Sequence, residues 1–130
     1  MITSYRDLRI WQQGVSLVEG VYGATRAFPR SELFGLMGQM QRAAVSVPAN
    51  IAEGQVRGYT GEYVHHLAMA HGSLAELLTL IEIALRLGYL TAEDAAQLAN
   101  KAESLSRQIN ALRGALGTKY PQSASAPHAP

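Results

Sequence analysis

The chain has 130 residues and no cysteine, with 48% hydrophobic residues, 16% charged residues and a formal net charge of +1. This length fits one domain, and the lack of cysteine excludes disulfides, thiolate chemistry and cysteine-rich zinc sites. The charged fraction lies below the roughly 25% of an average globular chain, so we expect contacts between subunits to cover part of the surface.

The first predicted helix runs from about Tyr5 to Phe28 and carries two apolar rows, about 100° apart around the helix. One row is Leu8, Trp11, Val15, Val18 and Tyr22, and the other is Ile10, Gly14, Leu17, Val21, Ala24 and Phe28. Two rows exceed what the surface helix of an isolated bundle needs. We therefore predict a homo-oligomer with Ile10, Leu17 and Val21 at the interface.

The second predicted helix follows Phe28-Pro29, with Ser31 as its N-cap and a proline in its second half. Apolar residues recur every three or four positions, at Leu33, Leu36, Met40, Ala44, Val47 and Ile51. Pro48 has no amide hydrogen and leaves the Ala44 carbonyl unpaired, a defect worth about 3 kcal/mol inside a helix. Tertiary packing must hold this segment together, and Gly54 to Gly58 is predicted to be a connector.

The polar face of the second helix surrounds this defect and is formed by Gln39, Arg42, Ser46, Asn50 and Glu53. In a structural interpretation, Arg42 or Asn50 donates to the free carbonyl, and Glu53 pairs with Arg57 or with a basic group on another helix. In a functional interpretation, the same side chains line a binding groove at the bundle end or along a central channel of an oligomer.

The third predicted helix runs from a cap at Thr60 to about Leu87, where Gly88 ends it. Its apolar row is Tyr63, Leu67, Ala70, Leu74, Leu78, Ile81 and Leu85. The most apolar stretch, from Leu74 to Leu87, contains three charged residues and is too short to span about 30 Å of hydrocarbon. We therefore expect a core helix and no contact with a membrane.

The fourth predicted helix begins at the capping-box pattern Thr91 to Asp94. It has a single apolar row formed by Ala95, Leu98, Ala102, Leu105, Ile109, Leu112 and Leu116. The sequence predicts an all-α fold, an antiparallel up-down-up-down four-helix bundle over residues 1–117, with a disordered tail over residues 118–130. A coiled array of two long hairpins is the alternative.

Three segments together resemble a known family of helical proteins. They are YRDLRIWQ from Tyr5, FPRSELFGLMGQMQRAAVSVPANIAEG from Phe28 and GSLAELLTLIEIALRLGYL from Gly72. These segments are similar to the four-helix-bundle proteins encoded in intervening sequences of bacterial 23S ribosomal RNA genes. The resemblance implies a ring of five subunits and nucleic acid as a partner. The family includes the accessory protein of diversity-generating retroelements, but those relatives are strongly basic, and the net charge of +1 argues against that role.

No catalytic, metal or cofactor site is predicted. Glu62 and His65 form the single Glu-x-x-His pair, whereas a di-iron bundle needs two pairs and two further carboxylates. His65, His66 and His71 do not share a helix face at the spacing of a zinc site, so we interpret them as surface or capping histidines. Charged residues interrupt any export signal near the amino terminus, so we expect a cytoplasmic protein.

The arginines in the first half of the chain suggest nucleic-acid binding, and Arg6, Arg9, Arg42 and Arg57 are the predicted contacts. Repetition around an oligomer would add weak contacts to the phosphates of structured RNA or of a nucleoprotein. In the alternative, these arginines only solubilise exposed surfaces, and the oligomer is a protein-binding scaffold with no nucleic-acid contact.

Overall fold

Residues 4–119 are described by a computed structural model, and they form four α-helices and no strand. The helices are α1 (Arg9–Thr25), α2 (Leu36–Arg57), α3 (Thr60–Arg86) and α4 (Ala92–Lys119), with short 3-10 turns at Tyr5–Asp7 and Arg30–Glu32. The predicted all-α class is confirmed. Residues 118 and 119 of the predicted tail belong to α4, and residues 120–130 lie outside the described part of the chain.

Contacting residues show how the helices run. Residues of α1 and α2 are in contact at two places, Gly14 with Pro48 and Thr25 with Gln41. Those of α2 and α3 meet at Ser46 with Ser73 and at Asn50 with His66. Gln13 of α1 bonds to Gln108 of α4, and Gly20 lies against Leu98. In each pair one residue number falls as the other rises, which is the antiparallel order of an up-down-up-down bundle. α1 and α4, the first and last helices, are therefore also in contact.

The core lies along the bundle axis and is built from all four helices. Its fully buried large side chains include Leu17, Met40, Ile51, Leu67, Leu74, Leu77, Leu105 and Ile109. Within residues 4–119, α3 is the one helix long and apolar enough to cross a membrane by length and composition. In the bundle its apolar residues pack against α2 and α4.

The two apolar rows of α1 do not face the surroundings that the sequence predicted for them. Ile10, Leu17 and Val21 are 8%, 1% and 0% exposed within the single chain, so a second copy cannot reach them. Their assignment to an interface between subunits is corrected to the subunit core. The other row remains only half-buried at Trp11, Val15 and Val18 and exposed at Tyr22.

Several helix ends also differ from the prediction. Ser31 is not an N-cap, because α2 begins at Leu36, whose amide donates to the Glu32 carboxylate at 2.9 Å. The predicted connector from Gly54 to Gly58 is helical through Arg57, and Tyr59 rather than Thr60 holds the N-cap position of α3. The Asp94 amide does donate to the Thr91 hydroxyl, at 3.0 Å, and Gly88 ends α3 with a positive φ of 81°.

Candidate nucleic-acid interface and polar cluster

Pro48 of α2 packs against Gly14 of α1. A methyl group added at Gly14 would lie 3.2 Å from Pro48 Cβ and 3.3 Å from Pro48 Cδ. Both residues are buried, so the proline ring packs on bare backbone of the neighbouring helix. This packing offsets part of the cost of a proline inside a helix, as tertiary structure must.

Ser46 and Asn50 connect the polar face of α2 to α3. The Ser46 hydroxyl bonds to the Ser73 hydroxyl and to the Ala43 carbonyl. Asn50 Nδ2 donates to the Ser46 carbonyl at 2.8 Å, and Asn50 Oδ1 lies 3.0 Å from Nδ1 of His66. Within residues 4–119 neither Asn50 nor Arg42 donates to the Ala44 carbonyl, so the predicted donor to that carbonyl is not found.

His66 is buried, with 7% of its surface exposed, which corrects its interpretation as a surface or capping histidine. Because Asn50 Nδ2 is already bonded to a carbonyl, Oδ1 is the acceptor, and His66 Nδ1 carries the hydrogen. His66 Nε2 then points toward two carboxylates, with Glu62 Oε1 at 3.8 Å and Glu53 Oε2 at 4.0 Å.

Glu53 pairs with Arg57 one turn later, with Arg57 Nη2 at 2.7 Å from Oε2, which confirms that predicted pair. Arg57 Nη1 also lies 3.8 Å from the Glu62 carboxylate at the start of α3. The hydrogen bond from Arg57, followed by the charge of His66, lowers the pKa of Glu53. The hydrogen bond to Glu53 raises the pKa of Arg57 in turn. Two carboxylates, an arginine and a histidine therefore bridge α2 and α3 at one end of the bundle.

Gly54 lets α3 approach α2 beside this cluster. A methyl group there would lie 2.7 Å from His66 Cβ and 3.3 Å from Tyr63 Cα. The Tyr63 hydroxyl is buried without a hydrogen-bond partner among the described residues, and burial raises the pKa of Tyr63. The string from Val47 to Gly54 thus places a proline, an amide and a glycine where α2 touches its two neighbours.

The histidines and carboxylates do not form a metal site in the part of the chain that the structure describes. His65 is exposed, and its ring packs edge-on to that of His66 at 5.4 Å. His71 is half-buried farther along α3. Arg57 occupies the space between Glu53 and Glu62, so these carboxylates already have a cation.

The predicted nucleic-acid contacts separate into different environments. Arg6 and Arg9 are exposed at the start of α1, and neither has an ion-pair partner among residues 4–119. Arg57 is near the same end of the bundle but is tied to two carboxylates. Arg42 lies about 22 Å from Arg57 along α2, given a rise of 1.5 Å per residue. The structure brings Arg6 and Arg9 together and leaves Arg42 apart from them.

Two aromatic rings hold Arg6 in place, which the sequence did not predict. The Arg6 guanidinium carbon lies 5.7 Å from the Tyr5 ring centroid and 5.8 Å from that of Trp11. The two rings pack edge to face at 5.4 Å. Tyr5 and Trp11 are six residues apart, which would place them on different faces of one continuous helix. They meet here because the chain changes from a 3-10 turn to α1 at Leu8.

The five side chains on the polar face of α2 fall into two groups. Ser46, Asn50 and Glu53 bond within the bundle, whereas Gln39 and Arg42 remain exposed. The partners Ser73 and His66 were missed because they lie far away in sequence and had no distinguishing pattern.

A model of the family described as 23S rRNA-intervening sequence protein matches residues 6–111. No curated protein matches the chain. The matched range begins at the 3-10 turn that carries Arg6 and includes the Pro48 segment and all of α3, so it covers most of the bundle. The chain belongs to the 23S rRNA-intervening sequence protein family.

Proposed function

We propose that this protein is a non-enzymatic, self-associating bundle in the cytoplasm that binds structured RNA through Arg6 and Arg9. The observation that carries the proposal is the position of these two exposed guanidinium groups at one end of the bundle, neither paired with a carboxylate in the described chain. The Tyr5 and Trp11 rings restrict Arg6, so less side-chain entropy is lost when it binds a phosphate. The family description, with its reference to 23S rRNA, adds support.

Self-association is part of this proposal because two arginines give only weak binding. Asp7 lies between them and reduces the local positive charge. The half-buried apolar side chains Trp11, Val15 and Val18 on α1 offer surface for a second copy. A ring of five, which the resemblance implies, would repeat Arg6 and Arg9 around one rim and bind RNA by avidity without reading its bases.

Filter binding to a structured RNA tests this proposal. The double variant Arg6→Gln/Arg9→Gln removes both cations, and Arg26→Gln/Arg30→Gln is the matched control at the other end of α1 with the same change in net charge. We expect the first variant to lose retention at low salt and the control to retain RNA as the unaltered protein does. Equal loss in both variants would indicate only a general effect of charge. No retention of RNA by the unaltered protein at low or moderate salt would remove the proposal.

A protein-binding scaffold without nucleic-acid contact is the second candidate. It is favoured by exposed apolar side chains on the described surface, among them Phe34 at 89%, Tyr59 at 72% and Val56 at 66%. Co-purification of a protein that resists salt, together with no retention of RNA, would select this candidate over the first.

A further inference from the structure

A groove of about 510 Å³ lies between the carboxyl-terminal half of α1 and the amino-terminal half of α2. Four of its lining side chains are apolar and exposed: Tyr22 at 45%, Leu33 at 47%, Phe34 at 89% and Val45 at 42%. It lies about 25 Å along α1 from Arg6, at the other end of the helix. Apolar side chains gathered around one concave surface mark a docking site more strongly than single exposed residues do.

The outward position of Leu33 and Phe34 follows from how α2 begins. The Glu32 side chain turns inward, where Oε1 accepts the Leu36 amide at 2.9 Å and Oε2 accepts the Tyr89 hydroxyl at 3.1 Å. The next two residues lie in the turn that leads into α2 and face solvent. The exposed apolar rim is therefore fixed by a helix cap and by the turn between α3 and α4.

Arg42 places a positive charge inside this apolar groove. A methyl group at Gly38 would lie 3.0 Å from Arg42 Nη1, so the guanidinium folds back over a glycine that leaves it room. No carboxylate in the described chain lies within ion-pair distance of Arg42, since Glu32 is bound inside the fold. Arg26 and Arg30 are exposed on the adjoining segment. The groove thus combines apolar walls with an unpaired cation.

We propose that this groove binds an acidic amphipathic helix of a partner protein. Apolar side chains of the partner helix lie between Phe34 and Val45, and one of its carboxylates pairs with Arg42. Helix-in-groove recognition uses apolar residues at three-and-four spacing, and a carboxylate fits the planar guanidinium in two-point contact. A phosphate backbone fits less well, because it offers no apolar groups to Leu33 and Val45, the aliphatic side chains that line the groove with Arg42. The inference concerns a different surface from Arg6 and Arg9 and does not depend on RNA binding.

Selection from a random peptide library on the immobilised full chain tests the proposal, followed by fluorescence anisotropy of the enriched peptides. We expect enriched peptides to carry apolar residues at helical spacing together with Asp or Glu. Phe34→Ser should weaken their binding at least ~10-fold, as loss of a central aromatic contact does. Arg42→Gln should weaken it and remove the preference for a Glu peptide over its Gln counterpart. The matched control Val56→Ser, at an exposed apolar position near the other end of α2, should change affinity less than ~2-fold.

Other outcomes would overturn the proposal. These are the absence of enriched peptides, enrichment of basic or neutral sequences, or binding that Phe34→Ser leaves unchanged. A fall in the mass of the assembly on Phe34→Ser, seen by light scattering, would assign the groove to a second copy of the chain. Binding of an oligouridine through Phe34 would assign it to nucleic acid. Phe34 is almost fully exposed, so circular dichroism should show its variant folded, and filter binding to RNA should be unchanged in it if the arginine proposal is right.

Discussion

At the scale of single residues, three positions of one string determine where α2 touches its neighbours. Pro48 packs on the backbone of α1 at Gly14, Asn50 binds His66 on α3, and Gly54 lies against Tyr63 and His66. Each residue contributes a different property. Pro48 supplies a compact ring without an amide hydrogen, Asn50 an amide that both donates and accepts, and Gly54 the absence of a side chain. These contacts give a packing reason for each of these three residues inside a helix.

Gly54→Ala should destabilise the protein by about 2–3 kcal/mol. The new methyl group would lie 2.7 Å from His66 Cβ, which is attached to the α3 backbone, so the two helices must move apart. Chemical denaturation measures the effect. Gly72→Ala is the control, because no atom lies within 4 Å of the added methyl on the exposed side of α3, and it should gain up to about 1 kcal/mol from helix propensity. A stabilised Gly54→Ala protein would show that α2 and α3 do not meet as described.

Asn50→Ala should cost about 1–3 kcal/mol, because the buried His66 Nδ1 loses its hydrogen-bond acceptor. Urea denaturation at neutral pH measures the loss. Gln39→Ala, an exposed position on the same polar face, is the control and should stay within about 0.5 kcal/mol of the unaltered protein. Equal, negligible effects in both variants would contradict the structural role of Asn50 and favour a ligand-binding one.

At the scale of helices, Glu32 joins the start of α2 to the turn between α3 and α4. Its carboxylate caps α2 through the Leu36 amide and accepts the Tyr89 hydroxyl from the turn between α3 and α4. The Phe28 and Tyr89 rings also pack at a centroid distance of 5.3 Å, so this end of the bundle is held by a polar and an aromatic contact. The hydrogen bond to Glu32 is the main reason that the pKa of Tyr89 is raised.

Glu32→Ala should destabilise the protein by about 1 kcal/mol through loss of a helix cap. The same variant should lower the pKa of Tyr89 toward its ordinary value near 10. Ultraviolet titration of the variant, with Tyr89→Phe to identify the signal, measures the second effect. Glu76→Ala removes an exposed carboxylate from the middle of α3 and should change neither quantity appreciably. A normal stability in Glu32→Ala would mean that the cap at Leu36 is not formed.

Glu53→Gln should lower the melting temperature slightly at neutral pH and not at all in acid. Arg57 lowers the pKa of Glu53, so the folded state binds the proton less readily than the unfolded chain. The contribution of the pair is therefore complete above the unfolded pKa of about 4.3 and is lost as pH falls through the lower, folded pKa. The effect is small because both side chains are about half exposed.

Melting temperatures of the unaltered protein and of Glu53→Gln, taken at several pH values, check this prediction. The difference should be present at neutral pH and should close toward pH 3. A difference that persists at pH 3 would mean that charge is not its cause. Equal melting temperatures at every pH would instead favour a role of Glu53 in binding a ligand.

Sequence periodicity predicted the helices well where each has one apolar row, as in α3 and α4. For α1 it predicted two rows of the same spacing, and the row of Ile10, Leu17 and Val21 was wrongly assigned to an interface between subunits instead of to the core. The start of α2 was also misplaced. The Glu32 side chain, four residues before Leu36, caps the helix, whereas the local sequence pattern indicated Ser31 as the cap. The polar face of α2 was predicted, but its partners on α3 were not, because a contact across sixteen residues leaves no local pattern.

At the scale of the whole molecule, charge and apolar surface are distributed unevenly. Arg6 and Arg9 lie at one end of the bundle, and the groove with Phe34 and Arg42 lies toward the other. With a net charge of +1, overall attraction to nucleic acid is weak, so binding must depend on local arginines repeated in an assembly. The proposed RNA contact therefore makes a quantitative prediction about salt.

The slope of log affinity against log salt concentration should report how many subunits contact the RNA. Each phosphate contact contributes about −0.7 to −0.9, so Arg6 and Arg9 of one chain give a slope of about −1.4 to −1.8. Five copies of Arg6 and Arg9 around one rim give a slope of about −7 to −9 at the same contribution per contact. Filter binding between 50 and 200 mM salt, with light scattering to fix the mass of the assembly, distinguishes the two. A multimeric mass with a slope near −1.5 would show that only one subunit contacts the RNA. A monomeric mass at micromolar concentration would exclude avidity. Two arginines of one chain would then be too few to explain the proposed RNA binding.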